Sequence, residues 1–271
     1  MQYQVLNVKV QGGLDTAKLY LYLLDNSPEI DPARVRPVIL LCPGGGYCMT
    51  SDREAEPVAM QFLAAGFQVA ILRYSVAPAT YPAALREVAW SVAHLRGHAG
   101  EYHIDPKKVI VMGFSAGGHL AASYGVFWKN HTFLAEELGV DDETLRPNGL
   151  ILGYPVITSG PLAHRDSFVN LLGDQYNELV DEMSLENQVN EDVPPTFLWH
   201  TEPDDTVPVE NSLFFFRALH EKHVPVELHI YPEGGHGLSL STKETQWGGV
   251  GELVESCQGW VGLAVAWAKR I

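Results

Sequence analysis

The chain has 271 residues, of which 46% are hydrophobic and 19% are charged, a balance typical of a globular protein with a sizeable core. It carries 33 acidic and 18 basic residues, and the formal net charge of −15 disfavours nucleic acid and anionic membranes as partners because both require basic patches. A neutral substrate therefore suits this chain better than a strongly anionic one.

The N-terminal segment predicts an antiparallel hairpin. Apolar side chains alternate over residues 3–10, a second strand is predicted over residues 18–24, and Gly12-Gly13 suits the turn between them. The first residues lack the basic start and the apolar run of a secretory signal, and no run of about 18 apolar residues predicts a membrane span. These observations favour a cytoplasmic protein.

The rest of the chain alternates apolar runs with helical patterns. The runs predict strands over residues 37–43, 67–74, 109–112, 149–155, 196–200 and 226–231. The patterns predict helices over residues 53–65, 83–97, 119–124, 211–223 and 253–271, the last with Trp260, Leu263 and Trp267 on its core side. This alternation is typical of the α/β class, so we expect a mostly parallel, twisted sheet of about eight strands with helices on both faces.

No internal repeat or low-complexity tract divides the chain, so we expect a single domain over residues 1–271. Ligands of such sheets bind at the carboxyl ends of the strands. Residues 160–192 contain helical pieces without a strong period, and we interpret them as a small insertion over that edge of the sheet.

A candidate nucleophile lies where the strand that includes residues 109–112 ends. The run continues into Gly-Phe-Ser-Ala-Gly, with Gly113 and Gly117 on either side of Ser115, and a helical pattern follows. A strand, a sharp turn and a helix in this order expose the serine hydroxyl at the carboxyl end of the strand. The alternative is a glycine-rich turn that carries a solvated serine.

A serine hydroxyl is a poor nucleophile and needs a base to remove its proton and an acid to hold that base. His236 is the candidate base, because it follows the last strand in Gly-Gly-His-Gly, and the glycines allow close approach to Ser115. The candidate acid is Asp204 or Asp205, which follow the strand over residues 196–200. We choose Asp204; the alternative for either carboxylate is to cap the helix that starts near Val209.

Three other residues compete for these roles. We expect His119 to pack beneath the serine turn, and His200 ends a strand just before the acidic loop. Asp174 is a further candidate for the acid, although its place after Gly173 suits a turn.

Acyl transfer also requires donors for the oxyanion. The candidates are the backbone amide of Ala116, next to the nucleophile, and that of Gly45 or Gly46 in Pro43-Gly-Gly-Gly-Tyr47. A phosphate-binding loop is the competing interpretation, but the chain contains neither Gly-x-Gly-x-x-Gly nor Gly-Lys-Ser/Thr. The order Ser115, Asp204, His236 is the α/β-hydrolase order.

A family resemblance rests on four segments of the chain. From about residue 15 onward, the sequence resembles the small bacterial esterases of the acetylxylan-esterase-like and lipase/esterase type, which have the α/β-hydrolase fold. The segments that carry it are Pro43-Gly-Gly-Gly-Tyr47 with residues 51–57, Gly113–His119, Trp199-His-Thr, and residues 207–212. The chain has Pro43 where the commoner His-Gly-Gly-Gly motif has histidine, which weakens the link to the hormone-sensitive-lipase branch.

The resemblance implies a serine carboxylesterase that hydrolyses short acyl esters through an acyl-enzyme intermediate, with Ser115 as nucleophile, Asp204 as acid and His236 as base. It implies acetyl groups on xylo-oligosaccharides or other sugars as substrates, and no metal or organic cofactor. The three cysteines (Cys42, Cys48 and Cys257) predict neither a disulfide framework nor a zinc site. The expected partner is a small neutral ester; a homo-oligomer is compatible with the sequence.

Three aromatic residues are candidates for sugar binding. Tyr47, Tyr154 and Trp247 could offer a flat apolar face to a sugar, although core or rim positions are equally compatible with the sequence. Pro155 and Val156 are expected to form the wall of a small acyl pocket.

Two other functions remain open at this point. A prolyl-oligopeptidase-type peptidase shares the order of the three residues, but the chain lacks the length for the usual propeller domain. A non-catalytic binding protein on the same fold would typically lack the serine or the histidine, and this chain has both.

Overall fold

The computed structural model describes all residues 1–271, and a single eight-stranded sheet runs through it in the order β1-β2-β4-β3-β5-β6-β7-β8. The strands are β1 (Gln2–Asn7), β2 (Lys18–Leu23), β3 (Arg36–Cys42), β4 (Gln68–Arg73), β5 (Ile104–Phe114), β6 (Gly149–Gly153), β7 (Thr196–Thr201) and β8 (Val226–Tyr231). β1 pairs antiparallel with β2, and β2 antiparallel with β4, whereas all other neighbours are parallel. The predicted hairpin and the mostly parallel sheet are confirmed.

Helices cover both faces of the sheet. They are α1 (Glu56–Ala64), α2 (Ala83–Gly97), α3 (Ser115–Phe127), α4 (Phe133–Leu138), α5 (Asp142–Leu145), α6 (Arg165–Leu172), α7 (Tyr176–Leu179), α8 (Glu210–Glu221) and α9 (Trp260–Arg270). One core cluster packs α2, α3 and α8 against the sheet, and a second packs α1 and α9 against the opposite face. Val38 and Leu40 of β3 enter the first cluster and Ile39 and Leu41 the second, which explains why the strand is apolar throughout.

Some predicted boundaries were wrong. β5 begins at Ile104, so Asp105-Pro106 lies inside the strand, and α3 begins at Ser115 itself. The last helix begins at Trp260 instead of residue 253, because Val254 is extended and a short turn follows it. Leu263 is 40% exposed, since the buried stripe of this helix is formed by Trp260, Ala264, Trp267 and Ala268 and leaves Leu263 at its edge.

The strand order is that of the α/β-hydrolase fold, so the expected fold class is confirmed. Parallel strands β3, β5, β6, β7 and β8 all end at one edge of the sheet, which brings together the segments that carry the candidate site. No helix of the protein combines the length and the apolar character that crossing a membrane would require.

A buried carboxyl in α2 predicts a pH-dependent stability. Burial raises the pKa of Glu87 from 4.5 to about 7, although hydrogen bonds from the Ser75 hydroxyl and amide oppose the shift. The folded protein holds this proton more tightly than the unfolded chain does, so the contribution of Glu87 to stability is complete below pH 4.5. As the pH rises through 7, this contribution to the free energy of unfolding decreases by about 3 kcal/mol.

We therefore expect the free energy of unfolding to fall less between pH 5 and pH 8 in Glu87→Gln than in the wild type. Urea denaturation at both pH values measures the difference, and parallel pH profiles for the two proteins would contradict the assignment.

Candidate active site

The turn between β5 and α3 presents Ser115 at the edge of the sheet. Ser115 has φ = 52°, a strained value for a residue other than glycine. The backbone crosses itself closely here: a Cβ on Gly113 would lie 2.0 Å from the Gly117 carbonyl oxygen, and a Cβ on Gly117 would lie 2.2 Å from that of Cys42. Only glycine fits at either position, and the predicted strand, sharp turn and helix are observed.

The structure brings Ser115, His236 and Asp204 into one hydrogen-bonded chain. Ser115 Oγ lies 2.8 Å from His236 Nε2, and His236 Nδ1 lies 2.7 Å from Asp204 Oδ2. His236 is on the loop after β8 and Asp204 is on the loop after β7, so three separate strand ends supply the three groups. This geometry allows the imidazole to take the serine proton while the carboxylate holds the ring.

The two adjacent aspartates have different surroundings. Asp204 is buried, and its Oδ1 accepts hydrogen bonds from the amides of Thr206 (3.0 Å) and Val207 (2.9 Å). Burial alone would raise the pKa of Asp204, but hydrogen bonds from His200, His236 and Val207 hold it well below its usual range. Asp205 is exposed and interacts only with the Thr206 hydroxyl.

The three competing candidates, His200, His119 and Asp174, lie outside the hydrogen-bonded chain from Ser115 to Asp204. His200 Nε2 lies 2.9 Å from the Val207 carbonyl oxygen and 3.3 Å from Asp204 Oδ2, the same carboxylate oxygen that faces His236. His119 is buried, bonds to Tyr47 (2.9 Å), and has its pKa lowered to about 4 by burial. Asp174 is exposed in the turn after α6.

Three backbone amides are free beside the nucleophile. Gly45 (φ = 132°) and Gly46 (φ = 61°) have backbone conformations that favour glycine, and their amides donate no hydrogen bond to other protein groups. Ala116 lies in the first turn of α3, where amides have no intrahelical partner and the helix dipole favours negative charge. The three amides predicted to bind an oxyanion are therefore available for that purpose.

A cleft of about 410 Å³ contains Ser115 and His236, and only three of its 14 lining residues are hydrophobic. The polar lining side chains beyond the two named are those of Ser51, Arg53, Glu54, His164, Thr206 and Glu252. His164 comes from the 160–192 segment, and burial, followed by the neighbouring His236, lowers its pKa. A polar lining of this kind suits a ligand with many hydroxyl groups better than a long acyl chain.

The aromatic candidates separate into two groups. Tyr47 and Tyr154 are buried and bonded to protein groups, so the expectation that they offer a free face to a sugar was wrong. Trp247 is 64% exposed and lines the cleft. Pro155 and Val156 are also buried and do not line the cleft, so they form no acyl-pocket wall.

Sequence reasoning assigned no role to Arg53, Glu54 or His164, all of which line the cleft. Arg53 donates to the carbonyls of Thr245 (2.6 Å) and Gly237 (2.7 Å) and so ties two distant loops together. For Arg53 and Glu54, the one available signal was that residues 51–57 belong to a segment that carries the family resemblance, whereas His164 lies outside all such segments. Several acidic residues occur in that segment, and their spacing alone does not distinguish between them.

Comparison with known proteins identifies the family of this chain. Residues 26–219 match the BD-FAE family. The chain is 40% identical to endo-1,4-beta-xylanase B of Butyrivibrio fibrisolvens over 77% of its length, and 30% identical to the acetylxylan esterase of Xylanibacter ruminicola over 74%. These alignments cover only 33% and 40% of the two relatives.

A solved structure covers nearly the whole chain. The acetyl ester-xyloside bifunctional hydrolase from Caldicellulosiruptor lactoaceticus superimposes with a TM-score of 0.77 at 36% identity, over 94% of this chain and 88% of that one. With the strand order and the turn at Ser115, these matches show that the chain belongs to the BD-FAE family and has the α/β-hydrolase fold.

Proposed function

We propose that the protein is a serine carboxylesterase that removes short acyl groups, principally acetyl, from sugars such as xylo-oligosaccharides. The observation that carries the proposal is the continuous hydrogen-bonded chain from Ser115 through His236 to Asp204, with free amides beside the serine. Similarity to an acetylxylan esterase and to an acetyl ester-xyloside hydrolase supports the choice of substrate.

In the proposed reaction, His236 Nε2 removes the Ser115 proton as Oγ attacks the acyl carbon. The amides of Gly45, Gly46 and Ala116 stabilise the oxyanion that forms. Asp204 keeps the His236 Nδ1 proton in place and stabilises the imidazolium. His236 then gives its proton to the departing alcohol, which leaves an acyl group on Ser115.

In the second half of the reaction, His236 takes a proton from water, and the hydroxide attacks the acyl-enzyme. The same amides stabilise the second oxyanion, and its collapse returns the proton to Ser115 and releases the carboxylic acid. No step requires a group other than water and these residues.

The cleft beside His236 is the proposed site for the alcohol. The leaving oxygen must lie near His236 because that residue protonates it. Arg53 donates a hydrogen bond to the carbonyl of Gly237, the residue after His236. The guanidinium carbon of Arg53 lies 5.4 Å from the centre of the Trp247 ring. Arg53, Trp247 and Glu252 therefore surround the space that a sugar alcohol would occupy.

The test is a set of hydrolysis rates for p-nitrophenyl acetate, butyrate and octanoate and for acetylated xylo-oligosaccharides. We expect acetyl release from the sugar and a kcat/KM that falls from acetyl to octanoyl. Faster hydrolysis of octanoate would refute the preference for acetyl. Activity on aryl esters alone would contradict the proposal that acetylated sugars are substrates. Cleavage of a prolyl-aminoacyl anilide would instead favour the peptidase.

Replacing Trp247 by alanine is expected to raise KM for acetylated xylo-oligosaccharide about 3- to 10-fold, because an aromatic contact contributes roughly 0.5–1.5 kcal/mol. Ethyl acetate, whose alcohol is too small to reach the ring, should show less than a twofold change. Trp247→Phe is the matched control and should recover most of the loss. Equal effects on both substrates would show that Trp247 supports the loop and does not bind the sugar.

A further inference from the structure

Glu54 is a buried carboxylate that the proposed reaction does not use. It is 4% exposed, lies in the short turn before α1, and forms no ion pair. An isolated buried carboxylate is costly unless hydrogen bonds compensate for its lost hydration. Both oxygens accept one: Oε2 from the Gly44 amide at 2.7 Å, and Oε1 from the Tyr154 hydroxyl at 2.6 Å.

The first donor belongs to the loop with the free amides. Gly44 directly precedes Gly45 and Gly46, so the hydrogen bond to Glu54 fixes the start of that loop. Gly44 also separates Glu54 from the nucleophile: a Cβ at Gly44 would lie 2.6 Å from Glu54 Oε2 and 3.0 Å from Ser115 Cβ. Glu54 is therefore separated from Ser115 only by the backbone of Gly44.

The second donor belongs to the surroundings of the base. Tyr154 accepts a hydrogen bond from the Ser239 amide at 3.0 Å, three residues after His236, and its ring lies edge-to-face with the imidazole at 5.1 Å between centroids. Burial, followed by the charge of Glu54, raises the pKa of Tyr154 well above its usual value. The phenol therefore stays protonated and donates to Glu54.

We propose that Glu54 is a positioning residue that holds the Gly44–Gly46 loop and the His236 loop in register around Ser115. One carboxylate oxygen accepts from Gly44 of the first loop. The other accepts from Tyr154, which follows β6 and itself accepts a hydrogen bond from Ser239 of the His236 loop. A glutamine has one oxygen and one NH2 group, so it leaves one donor without an acceptor. This inference rests on the proposed ester hydrolysis, because the register matters for catalysis only if an oxyanion forms there.

The test compares Glu54→Gln with Glu56→Gln. Glu56 lies two residues away and pairs with Arg73, and it does not line the cleft. We expect Glu54→Gln to lower kcat on p-nitrophenyl acetate about 10- to 100-fold with less than a threefold change in KM. The variant displaces the oxyanion donors without removing one, and complete loss of one donor costs about 10²–10³. Glu56→Gln should stay within twofold of the wild type.

A second measurement separates positioning from a merely structural role. A trifluoromethyl ketone forms a tetrahedral adduct with an active serine, so its affinity should fall by the same factor as kcat/KM in folded Glu54→Gln. A kcat within twofold of the wild type, or a lower kcat with unchanged inhibitor affinity, would overturn the proposal.

If Glu54→Gln does not fold, Tyr154→Phe decides the question, because it removes one of the two donors to Glu54. We expect at least a threefold loss of both kcat/KM and inhibitor affinity, and no loss would overturn the link between the loops. A wild-type protein inactive on every ester would refute the proposed function. Activity that needs Ser115 but not Glu54 would refute only this inference.

Discussion

Replacement of Ser115 by alanine is expected to lower kcat for ester hydrolysis about 10⁴- to 10⁶-fold and to leave the fold intact. The side chain supplies the proposed nucleophile, and its one side-chain hydrogen bond is the 2.8 Å contact with His236. Losing the nucleophile leaves only binding and the oxyanion donors to assist hydrolysis by water. Steady-state rates on p-nitrophenyl acetate and a circular dichroism melting curve measure the two effects.

Ser123→Ala is the matched control for this experiment. Ser123 is also a buried serine of α3, but its hydroxyl faces His119 at 3.4 Å and does not line the cleft. Its rate should stay within about twofold of the wild type. Undiminished hydrolysis by Ser115→Ala would mean that the reaction occurs elsewhere, and the assignment of the nucleophile would be wrong.

Replacement of Asp204 by asparagine is expected to lower kcat about 10³- to 10⁴-fold, because the amide no longer selects the imidazole tautomer that can accept the serine proton. Asp204 accepts hydrogen bonds from His236 and from two backbone amides, and His200 lies beside the same oxygen as His236. An asparagine NH2 group cannot replace a carboxylate oxygen among these donors. KM should change far less than kcat, since Asp204 does not line the cleft.

Asp205→Asn separates this effect from a general change in the loop. Asp205 is the next residue and loses the same charge, but its carboxylate is exposed and does not contact His236. We expect a rate within about twofold of the wild type. A large loss for Asp205→Asn together with a small loss for Asp204→Asn would reverse the assignment of the acid.

The elements of the sheet were predictable because their signals are local. Strands buried on both faces must be apolar throughout, as Val38–Leu41 are, and this pattern is legible in a single segment. The errors occur where the local pattern is ambiguous. Leu263 has the spacing of a core residue of α9, yet only the position of the helix on the sheet determines which side of the stripe is covered.

The aromatic residues show a different limit. Residue type cannot distinguish Tyr154 from Trp247 as a sugar-binding surface, because both are large aromatic residues with a flat apolar ring. In the structure, Tyr154 is 1% exposed and bonded to Glu54 and Ser239, whereas Trp247 is 64% exposed. The exposure of each ring depends on the residues that pack against it, and for Tyr154 these residues, Glu54 and Ser239, are distant in the chain.

The sequence by itself determined the fold class, the candidate nucleophile and the base. Strand patterns and the order of the motifs can be identified along the chain, and glycines flank both Ser115 and His236. Only the tertiary structure decided that Asp204 and not Asp205 faces His236, and that Glu54 accepts a hydrogen bond from Gly44 beside the nucleophile. The physical reason is that these assignments depend on side-chain direction and on contacts between segments up to 100 residues apart, such as Glu54 and Tyr154.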